Sequence, residues 1–298
     1  MLRVGIVGAA GYTGRELIRW LSRHPRARIE LVTSESQAGK AVGEVFPEFE
    51  FLREMVFAKP DIETINHMDM VFLAVPHGAA QEWAPKIRIP IIDLSTDHRL
   101  SHPYGLPEIY GDQLRGKPLI ANPGCYATCS ILSAWPLRER IQYAVFDAIS
   151  GYSGGGQNHG YDYDENLIAY KLTDHRHIPE MEQQLGIPFS FTPHVANLFR
   201  GMMVTAHLML KEPMSVDRIR AIYDQAYLGA LTRVVDHIPT AKEVANTPFC
   251  LIGGFTIDKN GVLCVVSALD NLLKGAVTQA IENMNRQQGF LPTDGLID

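Results

Sequence analysis

Long apolar runs are missing from this chain: no stretch of its 298 residues approaches the roughly 18 that a membrane-crossing helix needs. Cysteine is scarce. Cys125, Cys129, Cys250 and Cys264 are too few and too irregularly spaced for a disulfide framework, and they lack paired metal-ligand spacing. Positive charge is not in excess either. A formal net charge of −6 removes the global basic field that nucleic acid or an anionic membrane surface requires. Internal repeats, low-complexity tracts and flexible linkers are also lacking. The N-terminus enters a strand without the charged and apolar regions of a signal peptide, so a cytoplasmic protein is expected, with small-molecule partners, no nucleic acid and no membrane. What remains is 46% hydrophobic and long enough for two moderate domains with substantial cores.

The first half reads as α/β. Arg3–Val7 is a short apolar run, Gly8-Ala-Ala-Gly-Tyr-Thr-Gly14 follows it, and Leu17, Ile18 and Leu21 then share one face of an amphipathic stretch. Strand, glycine loop and helix stand in the order of a dinucleotide-binding βαβ unit. Thr13 and Glu16 have capping-box spacing, and Ile29–Thr33 supplies the second strand. Glycines at 8, 11 and 14 let the backbone turn tightly, approach a pyrophosphate and pack helix on strand. Met70–Val75 and Ile89–Leu94 are continuous apolar runs, as in parallel strands covered on both faces. They end in Pro76-His-Gly78 and Ser95-Thr-Asp-His-Arg99, at the carboxyl ends where ligands collect in such sheets. At the end of the second strand, Ser34, Ser36 and Lys40 suit a 2′-phosphate, whereas Glu35 suits a free ribose hydroxyl. The residues alone leave that choice open.

Leu119-Ile-Ala-Asn-Pro-Gly-Cys-Tyr126 ends an apolar strand in a tight turn and delivers Cys125 to a helix start. There the free amides and the helix dipole favour a thiolate and can hold an oxyanion. Pro136 ends that helix near Trp135. Beyond it, strand-like segments at Val145–Ser150, 188–192, 202–210 and 263–269 point to a mixed α+β substrate and oligomerisation domain with an antiparallel sheet. A final helix, 270 to 285, places Leu272, Leu273, Ala276, Val277, Ala280, Ile281 and Met284 on one face that must pack, most simply on the first domain. The expected organisation is therefore 1–124, 125–269 and a returning helix at 270–298. Thioester chemistry at Cys125 needs a proton donor. Among eleven histidines, His194 stands out, placed by Pro193 at the end of a short apolar run and followed by Arg200. His175-x-His177 has strand spacing without the further ligands a metal needs, so it reads as a substrate contact or a structural pair. Cys129, one turn after Cys125, is not a disulfide partner, and Tyr161–Glu165 reads as a solvated loop.

On these motifs the chain resembles the N-acetyl-γ-glutamyl-phosphate reductases of the aspartate-semialdehyde dehydrogenase superfamily. The ordered set is Gly8–Gly14, Ala74-Val-Pro-His-Gly78, Asp93–Arg99, Tyr104-Gly-Leu-Pro-Glu108, Ala121–Tyr126, His175-Arg-His-Ile-Pro-Glu180, Thr192-Pro-His194 and Asp270–Gly275. The resemblance implies a Rossmann-type doubly wound parallel sheet plus a mixed dimerisation domain. It implies an NADP-dependent acyl-phosphate reductase of arginine biosynthesis that forms a homo-oligomer, a dimer or tetramer, with Cys125 as nucleophile and His194 as general acid/base. It also implies cofactor contacts from Gly8, Gly11, Tyr12, Thr13, Gly14, Ser34, Ser36, Pro76 and Gly78. Substrate contacts would come from Ser95, Arg99, Glu108, Asn122, His177 and Arg200, and no metal is implied. Three positions depart from the family pattern: Glu35 stands where Arg is frequent, Gln157 replaces a cation in the loop Ser153-Gly-Gly-Gly-Gln157, and 195–200 differs from the usual Leu-x-Pro-Met-x-Arg. A carrier-bound aminoadipyl phosphate as substrate, and a non-catalytic dinucleotide sensor, are the competing readings.

Overall fold

The computed structural model describes residues 1–155 and 162–297, so Gln157 and Tyr161 lie outside the described residues. The chain divides into two compact units, Met1–Pro123 with Ala276–Asp298, and Gly124–Gly275. The later crossing falls after Gly275 instead of Leu269, because Asp270 and Asn271 are tied into the second unit. Asp270 Oδ2 accepts from Asn246 N at 2.7 Å, and Asn271 Oδ1 accepts from Gly201 N at 2.8 Å.

In the first unit β1 (Leu2–Val7), β2 (Ala27–Thr33), β3 (Met70–Leu73), β4 (Ile91–Asp93) and β5 (Leu119–Ala121) form a parallel sheet in the order β2-β1-β3-β4-β5. Every residue of β3, β4 and β5 is buried, as the uninterrupted apolar runs required. Val7, Leu31, Val71, Leu73, Ile91 and Leu119 meet Ile65, Ala80 and Ile87 in one cluster. The alternate set Ile6, Phe72, Ile92 and Ile120 is buried on the opposite face. The glycine-loop helix, Tyr12–Leu21, buries Leu17, Ile18 and Leu21 as its periodicity predicted. Its start differs from the capping-box expectation. Gly11 is the N-cap in extended backbone with no side-chain cap, so Thr13 lies inside the first turn and Glu16 faces Arg19 at 3.5 Å. A bare cap leaves the first amides open to an anion, which a serine or threonine oxygen would occupy.

The returning segment is not one helix from 270. A wide π turn at Leu273–Val277 precedes an α-helix, Thr278–Gln288, stopped by Gly289 in the left-handed region. Ala280, Ile281 and Met284 of this closing helix are fully buried in the first unit.

The second unit is built on β6 (Ile141–Gly151), β7 (Leu167–Ala169), β8 (Phe189–Ala196), β9 (Met202–Leu210), β10 (Thr232–Val234), β11 (Cys250–Ile257) and β12 (Val262–Leu269). The order is β10-β11-β12-β9-β6-β8-β7. The sheet is mixed, not antiparallel throughout: β6 runs parallel to β8 and β10 parallel to β11. The helix Ile178–Leu185 lies between β6 and β8 in the chain and supplies a crossover, and a crossover returns the chain in the same direction. Along β9, Met202, Val204, Ala206 and Leu208 are buried, while Met203, Thr205, His207 and Met209 are half-exposed. One face is thus packed, by the helices Cys125–Ala134 and Val216–Ala226 among others, and the other stands largely open.

Candidate functional site

The strand order of the first unit reverses between β1 and β3, and ligands of such sheets bind at the carboxyl ends on either side of that reversal. Gly8 leaves β1 with φ +83°, and a Cβ there would lie 2.4 Å from the Ala74 carbonyl oxygen beyond β3. A Cβ on Gly14 would lie 2.4 Å from the Ala9 backbone, whereas one on Gly11 meets only Gly8 O at 4.0 Å. Two of the three glycines are therefore required by packing, and the third keeps open the space before the helix amides. That space fits a dinucleotide pyrophosphate, with Tyr12 and Thr13 in the first helical turn beside it. Ser34 is buried, and its hydroxyl accepts from Gln37 N at 3.2 Å, with Ser36 Oγ 3.4 Å away. It shapes the turn, while Glu35, Ser36 and Lys40 are exposed. The adjacent Thr33 hydroxyl, which no sequence motif marks, is buried without a hydrogen-bond partner among the described residues.

After β4, the fully buried Asp93 carboxylate accepts from Ser95 N and Ser95 Oγ, both at 2.9 Å, and meets His98 Nδ1 at 2.6 Å. The Ser95 hydroxyl also accepts from Asp97 N at 3.1 Å. Its hydrogen bonds are thus directed into the loop. Asp97 in turn accepts from Gly78 N at 2.7 Å, which binds this loop to the one carrying Pro76 and Gly78. Arg99 is buried. Its Nε donates to Asn122 O at 2.9 Å and its second terminal nitrogen to Leu94 O at 3.4 Å. Asn122 donates to Ala276 O at 3.0 Å and accepts from Asn283 at 2.9 Å, so its side chain fastens the closing helix. Glu108 is half-buried in the short turn Pro107–Tyr110.

In the second unit Cys125 is the first residue of the helix Cys125–Ala134, behind an extended Gly124 at φ −77°, ψ 151°. First-turn amides have no intrahelical acceptor, so they face whatever the thiol carries. Gly275 backs this turn: a Cβ there would lie 2.6 Å from Cys125 Cβ. Gly124 is overlaid by the His177 ring, whose Nε2 would be 2.3 Å from a Cβ at 124. The Gly124 N–H donates to Glu180 Oε2 at 3.2 Å, and Glu180 Oε1 lies 4.0 Å from His177 Nε2, both side chains being buried. Glu180 was not singled out in the sequence. The signal was the i, i+3 spacing from His177 onto the start of a helix.

His175 and His177 stand in a turn instead of a strand: His177 N donates to His175 Nδ1 at 3.2 Å, and the rings meet edge-on at 4.7 Å. Tyr126, Tyr170 and Phe191 close around them, with ring centroids 5.4 Å from His175 for Tyr170 and for Phe191. Burial raises the Tyr126 phenol above its ordinary value and pushes Tyr170 up to about 12, so both remain neutral donors. Tyr126 OH donates to His194 O at 2.7 Å. The His194 ring itself goes elsewhere. Along β8, Phe191, Pro193 and Val195 are buried on the side of Tyr126, and Thr192, His194 and Ala196 alternate to the other face. The histidine ring that lies over the thiol's turn is that of His177, while strand alternation directs the His194 ring to the opposite face of the sheet.

Arg200 meets Asp270 at 3.4 Å. Burial raises the Asp270 carboxyl, offset by bonds from Asn246 N, by Arg200 and by bonds from Leu272 N and Leu273 N. Asn271 joins the same seam through Ser153 Oγ at 2.9 Å. Cys129 is buried against Ser267, with Sγ 3.1 Å from its hydroxyl, and so points into the core.

Residues 3–117 match the family model described as semialdehyde dehydrogenase, NAD binding domain, and residues 125–271 match semialdehyde dehydrogenase, dimerisation domain. The N-acetyl-gamma-glutamyl-phosphate reductase of Methanosarcina mazei is 41% identical over 99% of this chain and 97% of its own length. That of Methanocaldococcus jannaschii is 38% identical over 100% and 98%. Among solved structures, aspartate semialdehyde dehydrogenase II from Vibrio cholerae superposes with a TM-score of 0.79 at 16% identity, covering 96% of this chain and 98% of that one. The Candida albicans aspartate semialdehyde dehydrogenase with NADP gives 0.80 at 16% over the same shares, a likeness of fold. Identity of this order along the whole of both chains, joined to the cofactor cradle and the thiol turn, means that the chain belongs to the N-acetyl-gamma-glutamyl-phosphate reductase family of semialdehyde dehydrogenases, enzymes that use a nicotinamide dinucleotide.

Proposed function

We propose that the chain reduces N-acetyl-γ-glutamyl phosphate to N-acetylglutamate semialdehyde with release of phosphate, the arginine-biosynthesis reaction, using NADPH and a thioester on Cys125. The observation that carries this reading is the placement of Cys125 at the first position of a helix, between the clearance left by Gly275 and the His177–Glu180 pair on Gly124. The thiolate attacks the acyl carbon, the bond from that carbon to the phosphate oxygen breaks, and phosphate leaves a thioester on Sγ. NADPH, when bound, supplies the hydride that the thioester carbon accepts. The first-turn amides stabilise the oxyanion. His177 gives it a proton and takes that proton back as the carbon–sulfur bond breaks and the aldehyde departs.

Serine at position 125 should lower turnover by about 10³-fold or more while leaving cofactor binding intact. Turnover equal to wild type would end the thioester scheme. His177→Gln should be far more damaging than His194→Gln, and the reverse ranking in steady-state assays would return the proton to His194. A reverse assay with aldehyde and phosphate, run with NADP and with NAD, tests the cofactor preference. Higher kcat/KM with NAD would mean that Glu35 governs the choice.

A further inference from the structure

We propose that Glu180 is a positioning residue that holds the Cys125 thiol back from permanent ionisation. The inference rests on the thioester reading and deepens it. A helix N-terminus favours a thiolate, yet here a carboxylate is fixed at that same end, accepting the N–H of the N-cap residue Gly124 at 3.2 Å. Glu180 is 1% exposed, so little water screens it. A like charge held so close disfavours the charged form of the thiol.

The counterweight is His177, whose Nε2 lies 4.0 Å from the second carboxylate oxygen and whose ring covers Gly124. Protonated, His177 offsets Glu180, and the helix dipole then acts on the thiol unopposed. Neutral, it leaves the carboxylate's charge in force. The other titratable and charged neighbours among the described residues include Tyr126 on the same helix, His175, Tyr170 and the exposed Arg176 in the preceding turn, His194 through its backbone on β8, and the buried Lys274 next to Gly275. The two tyrosines stay neutral because burial raises them.

There is a chemical reason for such restraint. Intrinsic nucleophilicity falls as thiol pKa falls, and the best attacking thiol ionises near ambient pH. A thiol driven fully to thiolate by the helix would be both a poorer nucleophile and more easily oxidised. Glu180 sets the balance through charge, and its hydrogen bond to Gly124 fixes the distance over which that charge acts.

The test is the pH profile of iodoacetamide alkylation at Cys125 in the full-length protein, read by mass spectrometry. Glu180→Gln keeps an oxygen acceptor for Gly124 N–H and removes only the charge. Its labelling midpoint should move to lower pH by about one unit, as expected for a charge several ångströms away in a partly screened site. A midpoint that is unchanged or higher, with Cys125 still the labelled cysteine, overturns the proposal. If Glu180→Gln does not fold, His177→Gln reads the same coupling with the opposite sign: its midpoint should rise, and an unmoved midpoint overturns the proposal equally. A wild-type protein in which Cys125 is not preferentially labelled would instead remove the thioester reading, and this inference with it.

Discussion

A methyl group at residue 275 is the smallest change that reaches the thiol. Gly275→Ala would put a carbon 2.6 Å from Cys125 Cβ and 3.1 Å from Leu269 Cδ1, so the first helical turn must shift. Displacement of about 1 Å at a reacting group costs on the order of 10²-fold in rate, and steady-state kinetics should show that loss in kcat with cofactor affinity unchanged. Position 275 was visible in the sequence only as the end of a motif, since its function is to be absent beside another residue. Cys125 was legible for the opposite reason: strand, turn and helix start are local features. His177 stood out only as a substrate contact or structural residue, and Glu180 not at all, because their approach to Gly124 is tertiary. His194 drew attention through Pro193 and Arg200, but the face a strand residue takes is set by its partners, and β8 turns Phe191 toward Tyr126.

At the scale of elements, the glycine loop should tolerate substitution unequally. Gly14→Ala collides with the Ala9 backbone and should destabilise the fold by about 1–3 kcal/mol or more in denaturant unfolding, whereas Gly11→Ala should fold normally and lose dinucleotide affinity in a fluorescence titration. The strands of the first unit could be read directly because burial on both faces leaves continuous apolar runs. The second sheet was harder. Its direction reversals depend on which connection contains a helix, and its face alternation was visible without its partner. That half-exposed face, with Met203, Met209, Val145 and Cys264, is the natural surface for the homo-oligomer we expect from a dimerisation-domain fold. Met209→Asp should reduce the mass measured by light scattering while leaving circular dichroism unchanged.

At the scale of the whole molecule, the first unit depends on the end of the chain. Ile281 and Met284 of the closing helix are fully buried, so truncation after Gly275 should leave a protein that fails to bind dinucleotide and aggregates on expression. His24 fastens this return. Its Nδ1 accepts from Arg26 N at 3.2 Å and Ala27 N at 3.0 Å, and its Nε2 lies 3.0 Å from Asn285 Oδ1, with the Arg26–Asp294 ion pair beside it. Burial lowers its pKa, against the raising effects of Asn285 and Asp294. The unfolded chain then binds the proton more readily than the folded one. This contribution to stability is complete above about pH 6.5, the ordinary imidazole value, and declines as pH falls from there toward the lowered folded value. Thermal melts between pH 8 and 5 should show that decline, and His24→Gln should flatten it.

The close approach of Gly275 to Cys125 also bears on how such a chain came to be built. The polypeptide leaves the first unit at Pro123, builds the whole second unit, and re-enters at Ala276, and the two ends of that excursion are neighbours. To the first unit the excursion is topologically a tight loop, whose closure entropy grows only slowly with its length. A segment whose ends coincide can be exchanged between hosts as a cassette without disturbing the sheet on either side of it. Joining Pro123 to Ala276 with a few glycines, or expressing 124–275 alone, should therefore yield separately folded products, and Cys125 would travel with the cassette.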